Sequence, residues 1–238
     1  MNNKKKFIIV GGSKGIGFGI ANKAFELNYE IIFFAKNKPL FEFNHKYYFL
    51  DIEDQESLNA FDSKLNEFSN FNSHYLFCTG GGLSSKNDDP SINTLQKVWW
   101  HNCGFPIHII LKLRTIVSQP TFVTLLFSTV AINFKGSIQY SSSKSALESG
   151  FHTLLRESLN PNLYLTAIRL GFVDVEHKYF HKFSEESPVE FKEILKREVP
   201  TNHFMKIDSI ANIIMSLSNL GQAANGCIID LSNGTSWT

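Results

Sequence analysis

Short apolar runs alternate with longer amphipathic stretches along this chain, and the two periods separate cleanly. The runs Phe7 to Val10, Glu30 to Ala35, Tyr47 to Leu50, His74 to Cys78, Phe122 to Phe127, Leu163 to Arg169 and Cys227 to Leu231 read as seven strands. Between them, apolar positions recur at helical spacing near residues 16–28, 54–69, 92–117, 138–160 and 207–219. A further charged amphipathic helix is expected near 187–198. Strand and helix in regular alternation predict βαβ units, and hence an α/β fold around a parallel sheet. No repeat, low-complexity tract or linker breaks the series. Residues 1–238 are therefore expected to form a single domain.

Composition narrows the picture only a little. Hydrophobic residues make up 43% of the chain, enough for one large core, and the net charge of +1 gives no general pull toward nucleic acid or a membrane surface. The basic run Lys4-Lys5-Lys6 precedes only four apolar residues before a glycine, too few for a signal-peptide core or a membrane span. A cytoplasmic location is expected. Cys78, Cys103 and Cys227 are widely spaced and lack metal-ligand spacing, so they read as small buried residues in a reducing compartment.

Two segments carry chemistry. The first strand runs straight into Gly11-Gly12-Ser13-Lys14-Gly15-Ile16-Gly17, and a helix follows at once. Glycines there let the backbone turn tightly and approach a pyrophosphate, whose charge suits the N–H groups of the helix's first turn. A glycine turn with no ligand is the competing account. The second segment is Tyr140-Ser141-Ser142-Ser143-Lys144, where four-residue spacing puts a phenol and an ammonium on one helix face. An adjacent cation favours the tyrosinate, so Lys144 is expected to lower the Tyr140 pKa and make a proton-transfer pair; a plain helix-surface pair is the alternative.

Taken in order, these motifs resemble the short-chain dehydrogenase/reductase family over nearly the whole chain. The glycine segment is similar to the family's T-G-x-x-x-G-x-G turn, Tyr140 and Lys144 match its Y-x-x-x-K pair, Ser128 its serine after the fifth strand, and Asn102 its helix asparagine. Leu76 to Gly81 occupies the place of the N-N-A-G strand end, bringing Gly80 to the cofactor. Leu170 to Asp174 occupies that of the P-G segment, bringing Gly171 and Val173. The resemblance implies a Rossmann-type, doubly wound sheet of strand order 3-2-1-4-5-6-7. It also implies catalysis by Tyr140, Lys144, Ser128 and Asn102, with Tyr140 as general acid or base and Lys144 also on the nicotinamide ribose. Departures are Val10 for threonine, Cys78-Thr79 for the paired asparagines, Leu170 for proline and Val175 for threonine. Asn102 has a local argument as well: Pro106 has no N–H for the carbonyl four residues earlier, which predicts a carbonyl released from the helix ladder, a kink, or a helix ending before Pro106.

For the cofactor, Ala35 stands where the resemblance places an NAD-type aspartate, and Lys36 follows it. Lys14 points to the same pocket in NADP-using members, and Asp51 resembles the family aspartate beside the adenine. NADPH/NADP is therefore expected over NADH/NAD, with Gly11, Ser13, Lys14, Gly15, Ile16, Gly17, Lys36, Asp51, Gly80, Lys144, Gly171 and Val173 holding it. The implied activity is reduction of a carbonyl (a ketone, 3-oxoacyl group or oxidised sugar) to an alcohol, or the reverse. An inactive scaffold of the same fold is the other class considered. Residues 172–205, with His177, Tyr179, Phe180 and His181, resemble a substrate lid whose aromatics pack a chain, a ring or a sugar face. The resemblance further implies a homodimer or homotetramer, with Leu111, Leu147, Phe151 and Leu155 as contacts. No metal is expected.

Overall fold

The computed structural model describes residues 4–40, 43–80, 91–157, 160–175 and 179–237, and the side chains of Tyr179, Phe180 and Trp237 are left out of account. His177 thus lies outside the described residues. The chain runs β1 (Lys6–Gly11), α1 (Ile16–Glu26), β2 (Glu30–Ala35), β3 (Lys46–Phe49), α2 (Gln55–Phe68), β4 (Ser73–Cys78), α3 (Ile92–Trp99), α4 (Phe105–Ile116), β5 (Thr121–Ser128), α5 (Val130–Asn133) and α6 (Ile138–Arg156). It continues through β6 (Leu163–Leu170), β7 (Val173–Asp174), α7 (Tyr179–Glu186), α8 (Pro188–Glu198), β8 (Met205–Lys206), α9 (Ile207–Asn219) and β9 (Ile228–Leu231). Seven strands form one parallel sheet of order β3-β2-β1-β4-β5-β6-β9, as expected from the sequence.

Strands buried on both faces must be apolar at every position, and β1 shows how the period of two divides them. Ile8 and Val10 face one core, with Phe61, Phe105, Leu113 and Phe151 from the helices of that side. Phe7 and Ile9 face the other, with Ile20 and Ala24 of α1 and Ile210 and Ile214 of α9. The crossovers bring all strand ends that precede helices to one edge of the sheet, where an α/β fold binds its ligand.

Three local features differ from the sequence expectation. The long helix expected at 92–117 neither stops nor merely kinks at Pro106; it widens into a π-turn at Trp100–Gly104, and the N–H of Phe105 donates to the carbonyl of Trp100, five residues back. Pro106 removes one ladder donor there, and Gly104 leaves room for the flanking indoles, since a Cβ would stand 2.8 Å from Trp100. The helix expected at 138–160 ends at Arg156, where Glu157 turns to extended backbone. A two-stranded sheet of β7 and β8 was not anticipated, because two residues show no period.

One polar ladder crosses the core. His74 Nε2 lies 2.8 Å from Thr124 Oγ1, which is 2.9 Å from Thr166 Oγ1 on the next strand. Burial of the imidazole pushes its pKa down to about 3. A histidine held neutral in the fold but free to charge when unfolded contributes stability that is present above pH 6.5 and lost as pH falls below it. Urea unfolding should therefore show about 2 kcal/mol less stability at pH 5 than at pH 7 from this group, and His74→Leu should flatten that slope. An unchanged slope in the variant would show that His74 does not drive it.

Candidate active site

The glycine turn between β1 and α1 is shaped by contact with the end of β4. Gly11, Gly12 and Gly15 have φ of 79°, 68° and 68°, a region other residues rarely adopt. A Cβ on Gly11 would also stand 2.9 Å from the Cys78 carbonyl, and one on Gly17 2.9 Å from Cys78 Sγ. Cys78 thus fills the space beneath the turn. Gly15 begins α1 with no capping side chain, so the helix start opens directly on the cleft.

Two cavities share that cleft. The larger, about 480 Å³, is lined by Lys14, Gly15, Ile16, Gly17, Gly80, Ser128, Tyr140, Lys144, Gly171 and Val173, all expected from the sequence, together with Phe77, Leu126, Phe127, Leu170 and Val175. The smaller, about 230 Å³, is lined by Gly11, Ser13, Lys36, Asp51 and Gly80, and by His101, which sequence reasoning missed. Gly12, Cys78, Thr79 and Gly80 line both. Lys14 lines the larger cavity and Lys36 the smaller, on the two parts of the one cleft. Asn102 lines neither; it is fully buried in the π-turn, its Nδ2 donates to the Val98 carbonyl, and a side chain at Gly80 would run into it.

Helix α6 brings Tyr140 and Lys144 to the end of β5, where Ser128 stands. Ser137 caps the helix by accepting from the Tyr140 N–H. Lys144 is buried, and its Nζ donates to the Leu126 carbonyl at 2.9 Å. Burial pulls its ammonium down to about 8, against the opposing influence of the Cys78 and Cys103 thiols. The expected lowering of Tyr140 by this cation is not seen. Burial raises the phenol, the hydrogen bond with Ser128 works against the rise, and the ammonium, 5.9 Å from the ring centre, is directed at the backbone instead. A phenol raised in this way stays protonated at neutral pH, the state a proton donor needs. Cys78 is pushed up to about 12, so its thiol is inert.

At the other end, Lys36 Nζ lies 2.5 Å from Asp51 Oδ2. Glu53 is engaged by Lys97 at 2.8 Å and His101 at 2.6 Å. Trp100 Nε1 donates to the Ile52 carbonyl at 2.7 Å, so the π-turn holds the loop that carries Asp51.

In the segment expected to form a lid, Phe172, Phe183, Phe191 and Phe204 face one another. Phe172 stacks on Phe204 at 5.3 Å, Phe191 meets Phe204 edge-on at 5.1 Å, and Phe183 meets Phe191. Among the described residues of this segment, Val173 and Val175 line the larger cavity.

No family profile and no curated protein matches the chain by sequence. Solved structures do match it in shape. A short-chain dehydrogenase family protein from Francisella tularensis superposes with a TM-score of 0.82 at 20% identity, covering 99% of this chain and 100% of that one. L-sorbose reductase from Gluconobacter frateurii, solved with NADPH and L-sorbose, gives 0.82 at 17% identity over 99% and 98%. Aldohexose dehydrogenase from Thermoplasma acidophilum gives 0.79 at 17% over 100% and 96%. The chain has the short-chain dehydrogenase/reductase fold. In a chain of that fold, the start of α1, with no side-chain cap at Gly15 and with Gly15, Ile16 and Gly17 on the cavity wall, fits the pyrophosphate of a dinucleotide. Thr79 Oγ1, buried without a partner among the described residues, offers a further polar group on the cleft.

Proposed function

We propose that this chain is a short-chain dehydrogenase/reductase that interconverts a carbonyl and an alcohol with a nicotinamide cofactor, NADP(H) by preference. The observation that carries the reading is the single cavity lined jointly by Ser128, Tyr140, Lys144 and the glycine turn. Gly11, Ser13, Gly15, Ile16 and Gly17 would hold the pyrophosphate side of the cofactor, Asp51 and Lys36 the adenosine side, and Gly80, Lys144, Gly171 and Val173 the nicotinamide side. When bound, the nicotinamide supplies the hydride to the carbonyl carbon or takes it back. Tyr140 gives its phenolic proton to the substrate oxygen, and Ser128 holds that oxygen by a hydrogen bond that strengthens as charge develops. Lys144 steadies the tyrosinate left behind through space, its ammonium 5.9 Å from the Tyr140 ring centre in a buried site where the attraction is strengthened. Asn102 acts one layer back, keeping the helix and the Gly80 turn in register. Residues 172–205 cover the substrate side.

The absence of an acidic residue at Ala35 and the presence of Lys36 support NADP(H). Three free thiols suit a reducing compartment, the cytoplasm above all. No helix among the described residues is long and apolar enough to cross a membrane. A panel of ketones, 3-oxoacyl esters and keto-sugars, followed by NADPH absorbance, tests the function. Turnover of one class is expected, whereas cofactor binding with no turnover across the panel would favour the inactive scaffold.

A homodimer or homotetramer completes the reading, but through only two of the four contacts the sequence suggested. Leu147 and Phe151 are buried in the chain's own core, since α6 turns that face to the sheet. Leu111 and Leu155 remain, and α3 adds the exposed Ile92, Leu95 and Trp99 at helical spacing. Light scattering at micromolar concentration should give at least twice the 27.0 kDa of one chain; a monomer would remove the proposal.

A further inference from the structure

The Lys36–Asp51 pair sets two residues with separate tasks against each other. We propose that Asp51 is a specificity-determining residue which, by holding Lys36, weakens the chain's selection of a 2′-phosphorylated adenine nucleotide over its unphosphorylated counterpart. The inference rests on the NADP(H) reading above.

The geometry makes the lysine the movable partner. Asp51 is fixed: its Oδ1 accepts from the Glu53 N–H at 3.1 Å, its own N–H donates to Ser57 Oγ at 2.8 Å, and its side chain is only 19% exposed. Lys36 is 64% exposed at the side chain, while its backbone is tied down by Tyr47, whose hydroxyl donates to the Ala35 carbonyl at 3.0 Å. The ammonium therefore swings on a fixed base. Both residues line the same small cavity. Glu53, the other carboxylate near Lys36, is already engaged by Lys97 and His101.

A phosphate entering this cavity meets a cation already partly neutralised and a carboxylate of its own sign a few ångströms away. Separating an exposed ion pair costs about 1.4-fold to fivefold in affinity, and a like charge at about 4 Å in water costs about a further fivefold. Together these correspond to roughly sevenfold to thirtyfold in affinity. The penalty falls only on the nucleotide with the extra phosphate. Any direct contact of Asp51 with the adenine is shared by both nucleotides and cancels in their ratio.

The test is calorimetric titration of the full chain with adenosine 2′,5′-bisphosphate and adenosine 5′-monophosphate, which needs neither turnover nor a known substrate. Asp51→Asn should raise the preference for the bisphosphate roughly sevenfold to thirtyfold over the parent. Lys36→Met should bring the preference to one or below, and the double variant should stand above Lys36→Met by roughly the fivefold that the like charge costs, with thermal melts confirming that each is folded. A preference unchanged in Asp51→Asn while Lys36→Met abolishes it would overturn this inference alone. A preference untouched by Lys36→Met, or no binding of either nucleotide to the parent, would bring down the NADP(H) reading and this inference with it.

Discussion

Tyr140→Phe is expected to lower turnover at least a hundredfold on whichever carbonyl the chain reduces, while leaving NADPH affinity nearly unchanged. General acid catalysis contributes about 10²–10⁴-fold, and the substitution removes only the hydroxyl that performs it. The ring of Tyr140 sits on the same helix face as before, so its packing survives. The structure sharpens the expectation: burial keeps the phenol protonated at neutral pH, and Tyr140 lines the cavity together with Ser128. Steady-state rates and a calorimetric cofactor titration on the same preparation separate the two effects. If the variant reduced the carbonyl within a few-fold of the parent, another group would have to be the proton donor.

The second large effect is on stability. Phe151→Ala should cost about 3–5 kcal/mol, the usual range for emptying a phenylalanine site in a packed core. Phe151 is fully buried, and its ring meets Phe127 edge-on at 5.4 Å directly beneath the end of β5. Because the contact is within the chain, the loss measured by urea unfolding should be the same at low and high protein concentration. A loss that shrinks as concentration rises would return Phe151 to a subunit interface and contradict its placement in the core.

Much of this architecture was legible in the sequence because the physics involved is local. Seven doubly buried strands must be continuous apolar runs, and Glu30–Ala35 was found to the residue. Glycines at Gly11, Gly12 and Gly15 announce a backbone that needs positive φ, and Tyr140 with Lys144 announce a shared helix face through their spacing alone. Ser128, Asp51, Gly80, Gly171 and Val173 carry no such local signal, and Asn102 has only the indirect one of Pro106 four residues on. They were found through family resemblance, and five of them then proved to line the cleft, with Asn102 packed behind it.

Other properties only the tertiary structure decided. Spacing could not say that Lys144 is buried and bonded to the Leu126 carbonyl, so it misjudged which influence governs Tyr140: desolvation by the surrounding fold outweighs a neighbouring charge that points elsewhere. The resemblance put Leu147 and Phe151 at a subunit contact, and nothing along the chain told whether the sheet or a second chain would cover them. Cys78 and Thr79 looked like departures from a pattern until β4 carried them beneath the glycine turn, and His101 had no signal at all. The Lys36–Asp51 pair joins strands that touch only in the folded sheet. Element type follows from neighbours a few positions apart along the chain, whereas protonation, pairing and burial depend on groups that folding alone brings together.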